Sequence, residues 1–225
     1  KGKDPDFWLM GEIIHGDYAR WSNPEMLDSV TNYECWKGLW SSHNDKNYFE
    51  IAHSLHRQCG PGGIYRNITL YNFADNHDVD RLASKLKDPA HINNLYTLLY
   101  TMPGVPSLYY GSEWAIKGER TKHSDAPLRP CLDLKEMMAL DQSLCAHLAK
   151  LAAIRAAFPA LQEGQYENVV IKNPQLVFRR ATDSQRVYVV LNLEPQEVHV
   201  EFPHQEPVLQ DVLNENQVFN NDGGR

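Results

Sequence analysis

The amino-acid sequence predicts an α/β protein: a parallel sheet covered by helices over residues 1–160, then a small all-β segment over 161–225. Three observations carry that expectation. Up to residue 160, short apolar runs alternate with stretches of helical spacing, the pattern of βαβ units. After Pro159 and Gly164 the pattern becomes short strand-like runs at about ten-residue spacing, separated by Asn-Pro, Asp-Ser and Glu-Pro turns. Two of the earlier runs also end on an acid: Phe7-Trp8-Leu9-Met10 precedes Glu12, and Ile68-Thr69-Leu70-Tyr71 precedes Asp78. Acids repeated at the carboxyl ends of separate strands are how a β/α barrel builds an active site.

Taken in order, Phe7 to Ile14 is a near-continuous apolar run, as for a strand buried on both faces. Met26 to Tyr33 is a weaker strand. Tyr48 to Cys59 has helical spacing, with Phe49, Ala52 and Leu55 on one side. Ile68 to Phe73 is the next strand, and Ile92 to Met102 a helix stopped by Pro103-Gly104. Val105 to Tyr110 reads as a fourth strand. Asp141 to Phe158 reads as a long helix capped by Asp141, with Leu144, Leu148, Leu151, Ile154 and Ala157 facing inward. In the β segment the runs are Val169–Ile171, Leu176–Phe178, Val187–Leu191 and Val198–Val200. The closing Asn-Asn-Asp-Gly-Gly-Arg is expected to fray. Four parallel strands cannot close a barrel, which has eight strands and about 250 residues.

Composition narrows the function. The 225 residues are 42% hydrophobic, enough for an ordinary core. A net charge of −7 argues against a nucleic-acid partner, and no apolar run approaches the roughly 20 residues of a membrane span. Cys35, Cys59, Cys131 and Cys145 form no metal-finger spacing and are expected as free thiols. The opening Lys-Gly-Lys-Asp-Pro-Asp holds neither an initiator Met nor a signal-peptide apolar region; the N-terminus is expected to be truncated, so that absence leaves the location open, with a cytoplasmic one only slightly favoured.

Paired carboxyls suit glycoside hydrolysis, in which one acts as acid and then base. Glu12 is the candidate general acid/base, expected to be partly buried and so protonated near neutral pH; a glutamate salt-bridged at a strand end is the ordinary alternative. Asn76-His77-Asp78 clusters an amide, an imidazole and a carboxylate at one strand tip, where a plain polar turn is the alternative. His15 lies near Glu12, and substrate contact and simple exposure are both open for it. His53 and His56 share a helical face without a further ligand nearby in sequence, which favours a solvated face over a metal pair. Trp21, Trp36, Trp40 and Trp114 could stack on sugar rings or simply pack.

With Phe73 before it, Arg81 after it and Glu12 upstream, Asn76-His77-Asp78 resembles the Phe-x-x-Asn-His-Asp-x-x-Arg string of the α-amylase family, glycoside hydrolase family 13. Met26-Leu27-Asp28-Ser29-Val30-Thr31-Asn32-Tyr33 resembles that family's sixth barrel strand, and Gly104-Val105-Pro106-Ser107-Leu108-Tyr109-Tyr110-Gly111 its eighth. The resemblance implies strands 5 to 8 of a (β/α)8 TIM barrel followed by a C-terminal β-sandwich. It implies that Glu12 and Asp78 are catalytic, with Asp78 stabilising the transition state and His77 bonded to the sugar at the cleavage point. Arg81 is implied as a substrate-binding residue, with a structural ion pair as its alternative.

The family's nucleophile, an aspartate in a Gly-x-Arg-x-Asp string after the fourth strand, has no match here. Nor does the Asp-x-x-x-Asn-His string of the third strand, or the excursion where calcium usually sits. The expectation is therefore a fragment of a retaining hydrolase of α-1,4-glucans or maltodextrins, inactive alone. No metal is expected in it, and calcium belongs to the missing N-terminal half. Its exposed sheet edges are expected to self-associate. Glucan transfer, α-glucosidase activity and a non-catalytic amylase-like scaffold remain as alternatives.

Overall fold

The computed structural model describes residues 4–214 and 216–221. Four parallel strands form one sheet in the order β1 (Met10–Gly11), β2 (Ser29–Thr31), β3 (Thr69–Phe73), β4 (Val105–Ser107). Helices α1 (Tyr33–Asn44) and α2 (Phe49–Cys59) connect β2 to β3. A short α3 (Leu82–Lys85) and α4 (Ile92–Thr101) connect β3 to β4, and α5 (Leu134–Met138), α6 (Ser143–Ala157) and α7 (Pro159–Glu163) follow. The parallel order arises because each strand is followed by a crossover long enough to return to the same end of the sheet. All four strands thus point their carboxyl ends at one rim.

The second region is a three-stranded antiparallel sheet, β5 (Gln165–Ile171), β6 (Gln175–Ala181) and β7 (Arg186–Asn192), and a hairpin of β8 (Val208–Gln210) and β9 (Val218–Asn220). Val198–Val200 is not a strand, so the expected sandwich is one three-stranded sheet with a small hairpin beside it. Of the closing segment expected to fray, Asn220 in β9 pairs with Val208 and the Asn221 N–H donates to the Pro207 carbonyl, while residues 222–225 lie outside the described residues.

One hydrophobic core runs across the two regions. Leu39, Ile51, Leu55, Leu95, Leu98 and Leu148 from the helices share it with Leu161, Leu176, Phe178 and Leu191. Polar ties reinforce it: Asn168 donates to the carbonyl of Ala52 at 3.2 Å, and the Tyr48 N–H donates to that of Asn173 at 2.9 Å. Arg180 is fully buried and donates to the carbonyls of Thr101 at 2.7 Å and Gly164 at 2.9 Å. These carbonyls sit where α4 and α7 end, so the guanidinium satisfies orphan acceptors at the negative ends of two helix dipoles.

Several elements differ from the sequence expectation. The Phe7–Ile14 strand contracts to Met10–Gly11, and Phe7, Trp8 and Met10 are exposed rather than buried on both faces. β1 pairs with β2 alone, so half of its environment is solvent. β2 ends at Thr31 because Asn32 caps α1, its side chain accepting from the Cys35 N–H. The expected fourth strand stops at Ser107; Pro106 is tolerated because β4 is an edge. Gly104 holds φ +106°, and a Cβ there would lie 2.4 Å from the Leu70 carbonyl, so this tight approach requires glycine. In α6, Leu144, Leu148 and Leu151 are buried as expected, whereas Ala157 is exposed at the helix end. Asp141 accepts from the Ser143 N–H at 2.9 Å one residue ahead of the cap position. No helix among the described residues is long and apolar enough to cross a membrane.

Candidate active site at the strand rim

The rim rests on a buried polar layer. Asn32, at the end of β2, donates to Asn72 Oδ1 at 2.8 Å and exchanges two 3.0 Å bonds with Gln58. Asn72 in turn donates to the Pro103 carbonyl at 2.7 Å. These amides tie β2, β3, α2 and the approach to β4 together, each satisfied within the network.

Above this layer stand the predicted acids. Glu12 directly follows β1 and Asp78 lies five residues beyond β3, so both occupy the same rim of the sheet. Between them stands Tyr33, the first residue of α1. Its hydroxyl donates to Glu12 Oε1 at 2.8 Å and accepts from Asn76 Nδ2 at 3.1 Å. Asn76 Oδ1 accepts the backbone N–H groups of Asp78 at 2.8 Å and Val79 at 3.1 Å, forming the turn that presents Asp78. Burial pushes the Tyr33 phenol up to about 12, and the Asn76 bond only partly opposes this; Glu12 and the Asp78 charge add to the rise.

Asp78 is held from two sides, by Arg129 Nη2 at 2.8 Å and by His77 Nε2 at 3.3 Å. Arg129 also donates to the His77 carbonyl at 3.1 Å. Next to Asp78 lies an open groove of about 390 Å³ walled by Trp36, Asp80, Lys85 and Arg120. Asp80 is engaged by Lys85 at 3.1 Å and the Arg120 N–H at 2.8 Å, and these partners pull its carboxyl below the usual range although burial opposes them.

Two expectations change here. Glu12 is exposed, because β1 is an open edge, so the burial expected around it is not supplied by this chain. Arg81 does not face the groove. It is fully buried, donates to the Tyr110 and Leu128 carbonyls, and lies 4.2 Å from the centre of the Tyr109 ring. It holds the segment after β4 against β3 instead of touching a ligand. Asp75, six residues before it, is buried too and accepts from Ser112 Oγ and from the Leu82 N–H at 2.8 Å; burial raises its pKa despite these bonds. His15 is exposed in the loop after β1 and His77 is exposed beside Asp78.

Tyr33 and Arg129 were not anticipated. Tyr33 was legible in part, as the residue following a strand and an Asn cap; Arg129 meets Asp78 from 51 positions away, which no local pattern reveals. Trp36 donates to the Ala74 carbonyl at 3.1 Å and packs on Phe73, so its indole edge is structural even where its face lines the groove. His53 and His56 lie on the exposed face of α2. No cluster of three or more His, Cys, Asp or Glu suited to a metal occurs among the described residues.

A parallel sheet with two acids and an imidazole on its carboxyl rim is the arrangement from which β/α barrels build their sites. The family model for the α-amylase catalytic domain matches residues 1–143, and the chain belongs to the α-amylase family. The maltogenic α-amylase of Bacillus acidopullulyticus is 25% identical over 99% of this chain and 39% of its own length. A cyclomaltodextrinase of a Bacillus species is 24% identical over 85% of this chain and 34% of its own. The crystal structure of an α-amylase from Geobacillus thermoleovorans, complexed with acarbose, superposes with a TM-score of 0.83 at 20% identity, over 99% of this chain and 51% of that one. The chain thus spans about half of that structure and under two fifths of the curated relatives it matches.

Proposed function

We propose that this chain supplies the acid/base and charge-stabilising side of a retaining α-glucan hydrolase site, with strands 5 to 8 of the barrel. Glu12 protonates the glycosidic oxygen as the C–O bond breaks, and the bonding pair stays with that oxygen. An aspartate from strands outside this sequence forms the glycosyl ester, and Glu12 then takes a proton from the water that cleaves it. Asp78 balances the positive charge on the sugar ring, and His77 binds that sugar. Maltodextrins are the substrate class, since relatives named maltogenic amylase and cyclomaltodextrinase match most of the chain. The observation that carries this reading is the rim itself: Glu12 and Asp78 meet on one side of the sheet and are joined through Tyr33 and Asn76. That both acids and His77 are present disfavours a non-catalytic scaffold.

Alone, the chain lacks the nucleophile and should not turn over maltodextrins. β1 and β4 are open edges flanked by exposed Trp8, Met10 and Tyr110, surfaces that barrel strands cover in the active enzyme and that promote self-association without them. A cytoplasmic location accords with four free cysteines. The test is kinetic, in the enzyme that contains this sequence. Glu12→Gln and Asp78→Asn should each lower kcat on maltooligosaccharides by about 10²–10⁴ with small changes in KM, and the product should keep its anomeric configuration. Inverted product, or near-normal turnover by Glu12→Gln, refutes the assignment.

A further inference from the structure

Resting on that reading, we infer that Tyr33 is a positioning residue that decides which oxygen of Glu12 carries the transferable proton: Oε1 is taken by the phenol, and Oε2 is left to hold the proton and pass it on. The argument is one of donors and acceptors. Asn76 Oδ1 accepts two backbone N–H groups, from Asp78 and Val79, so its amide orientation is fixed and Nδ2 must face Tyr33. The Tyr33 oxygen therefore accepts from Asn76. Its single hydrogen is free for the remaining partner, Glu12 Oε1 at 2.8 Å.

The phenol is also held in place. Tyr33 opens α1 immediately after Asn32, which is tied to Asn72 and Gln58. Its ring packs edge-on against Phe73 with centroids 4.9 Å apart, and against Trp36 at 6.0 Å. With the phenol pushed up to about 12, mainly by burial, it keeps its hydrogen at neutral pH. A proton placed on Oε1 would displace this donor and leave the phenol hydrogen without its acceptor, disfavouring that site by about tenfold to a hundredfold against Oε2.

The consequence for the reaction is directional. The Oε2 proton passes to the glycosidic oxygen as the C–O bond breaks, and its O–H bonding electrons remain on Glu12 as carboxylate charge. The bond from Tyr33 to Oε1 strengthens as that charge develops, because a hydrogen bond to an ionised acceptor is roughly twice as strong as a neutral one. Tyr33 thus favours the transition state over the resting acid without touching the substrate.

The decisive test uses the 225-residue chain itself, labelled with ¹³C at tyrosine Cζ and titrated by NMR; Tyr33→Phe identifies the Tyr33 resonance among the eleven. Glu12→Gln removes a neighbouring charge and should bring Tyr33 ionisation to lower pH, whereas Asn76→Ala removes the donor that favours ionisation and should delay it. Opposite displacements support the relay. An unchanged Tyr33 titration in Glu12→Gln overturns it, and because that variant keeps the shape of the side chain this result does not depend on how Asn76→Ala folds. In the active enzyme, Tyr33→Phe should lower kcat on maltooligosaccharides about tenfold to a hundredfold with KM little changed, while maltosyl fluoride, whose leaving group needs no proton, is cleaved at close to the normal rate. Equal losses on both substrates overturn the role in proton delivery. A failure of Glu12→Gln to impair turnover would instead strike the functional reading on which this inference rests.

Discussion

Acid should loosen this fold through His43, in the last turn of the helix that carries Tyr33. The His43 ring is fully buried. Nδ1 lies 2.6 Å from the Leu39 carbonyl and must donate to it; Nε2 lies 3.4 Å from the Tyr48 hydroxyl and is free to accept. Both nitrogens are therefore used by the neutral ring. A proton would put a charge into a dry site that also faces His91, whose ring centre is 6.3 Å away. Burial, outweighing the Leu39 bond, lowers the His43 pKa to about 4 from an ordinary 6.5. The folded value is depressed, so between pH 6.5 and 4 the unfolded chain binds a proton that the folded chain refuses. Stability must fall as pH drops through that window and stop falling, on this account, below it. The gap of about 2.5 pH units, at about 1.4 kcal/mol each, comes to about 3.5 kcal/mol. That is a large share of the roughly 5–15 kcal/mol that holds a typical domain together.

The assay is urea unfolding followed by tryptophan fluorescence at pH 7 and pH 4.5, for the natural chain and His43→Gln. Glutamine can donate to Leu39 and accept from Tyr48 but does not titrate in this range. It should cost a fixed amount at pH 7 and then lose about 2.5 kcal/mol less than the natural chain on acidification. Carboxylates elsewhere contribute equally to both curves and cancel. Parallel losses in the two proteins would show that His43 is not the group responsible.

Three further outcomes follow from the same geometry. Arg81→Met removes bonds to the buried Leu128 carbonyl and the part-buried Tyr110 carbonyl and the contact with Tyr109, and should lower stability by about 2–4 kcal/mol, read as a drop in Tm and as new proteolytic cleavage between 110 and 130. Arg129→Ala breaks an exposed ion pair, so stability should change by less than about 1 kcal/mol in urea; turnover in the active enzyme should fall because Asp78 loses its 2.8 Å anchor. Arg180→Met strands the Thr101 and Gly164 carbonyls at about 1–3 kcal/mol each, offset in part by relief from burying a charge, and should reduce stability by about 2–3 kcal/mol in urea.

What was legible in the sequence follows from where each signal resides. Helices α2, α4 and α6 were found to within two residues at each end because their apolar spacing is self-contained. Helix α1 was missed because its buried face is partly polar: Ser41, Ser42 and His43 are buried beside Cys35 and Leu39. Ser41 donates to the Lys37 carbonyl and His43 bonds the Leu39 carbonyl, so both are satisfied inside the helix and hydropathy does not reveal their burial. The apolar run at Phe7–Ile14 misled in the opposite sense. It specifies a strand with two covered faces, and here it has one neighbouring strand. Glu12 and Asp78 could be singled out because a carboxylate ending an apolar run is a local pattern. The roles of Tyr33, Arg129 and Arg81 could not, since each depends on partners at least 21 positions away.

Burial separates structure from chemistry within a single loop, and Asp75 and Asp78 show how. The two acids are three residues apart after the same strand. Asp75 is 3% exposed, accepts the Leu82 N–H and the Ser112 hydroxyl, whose one hydrogen is shared between its two oxygens, and has its pKa raised by burial, so its oxygens are already used in holding β3 to the segment after β4. Asp78 sits on the rim with its carboxylate turned toward groups that a ligand could also reach, Arg129 and His77. The same division separates Arg81 from Arg129: the first spends its donors on carbonyls inside the fold, the second on Asp78 in the open. A motif that lists Asn76, His77, Asp78 and Arg81 together therefore mixes two tiers. The buried tier fixes the strand tips through Asn32, Asn72, Asp75 and Arg81, and the rim tier of exposed Glu12 and half-buried Tyr33, Asn76 and Asp78 takes its geometry from it. On this arrangement, substitutions in the buried tier should lower stability and activity together, whereas those in the rim tier should lower activity with the fold intact.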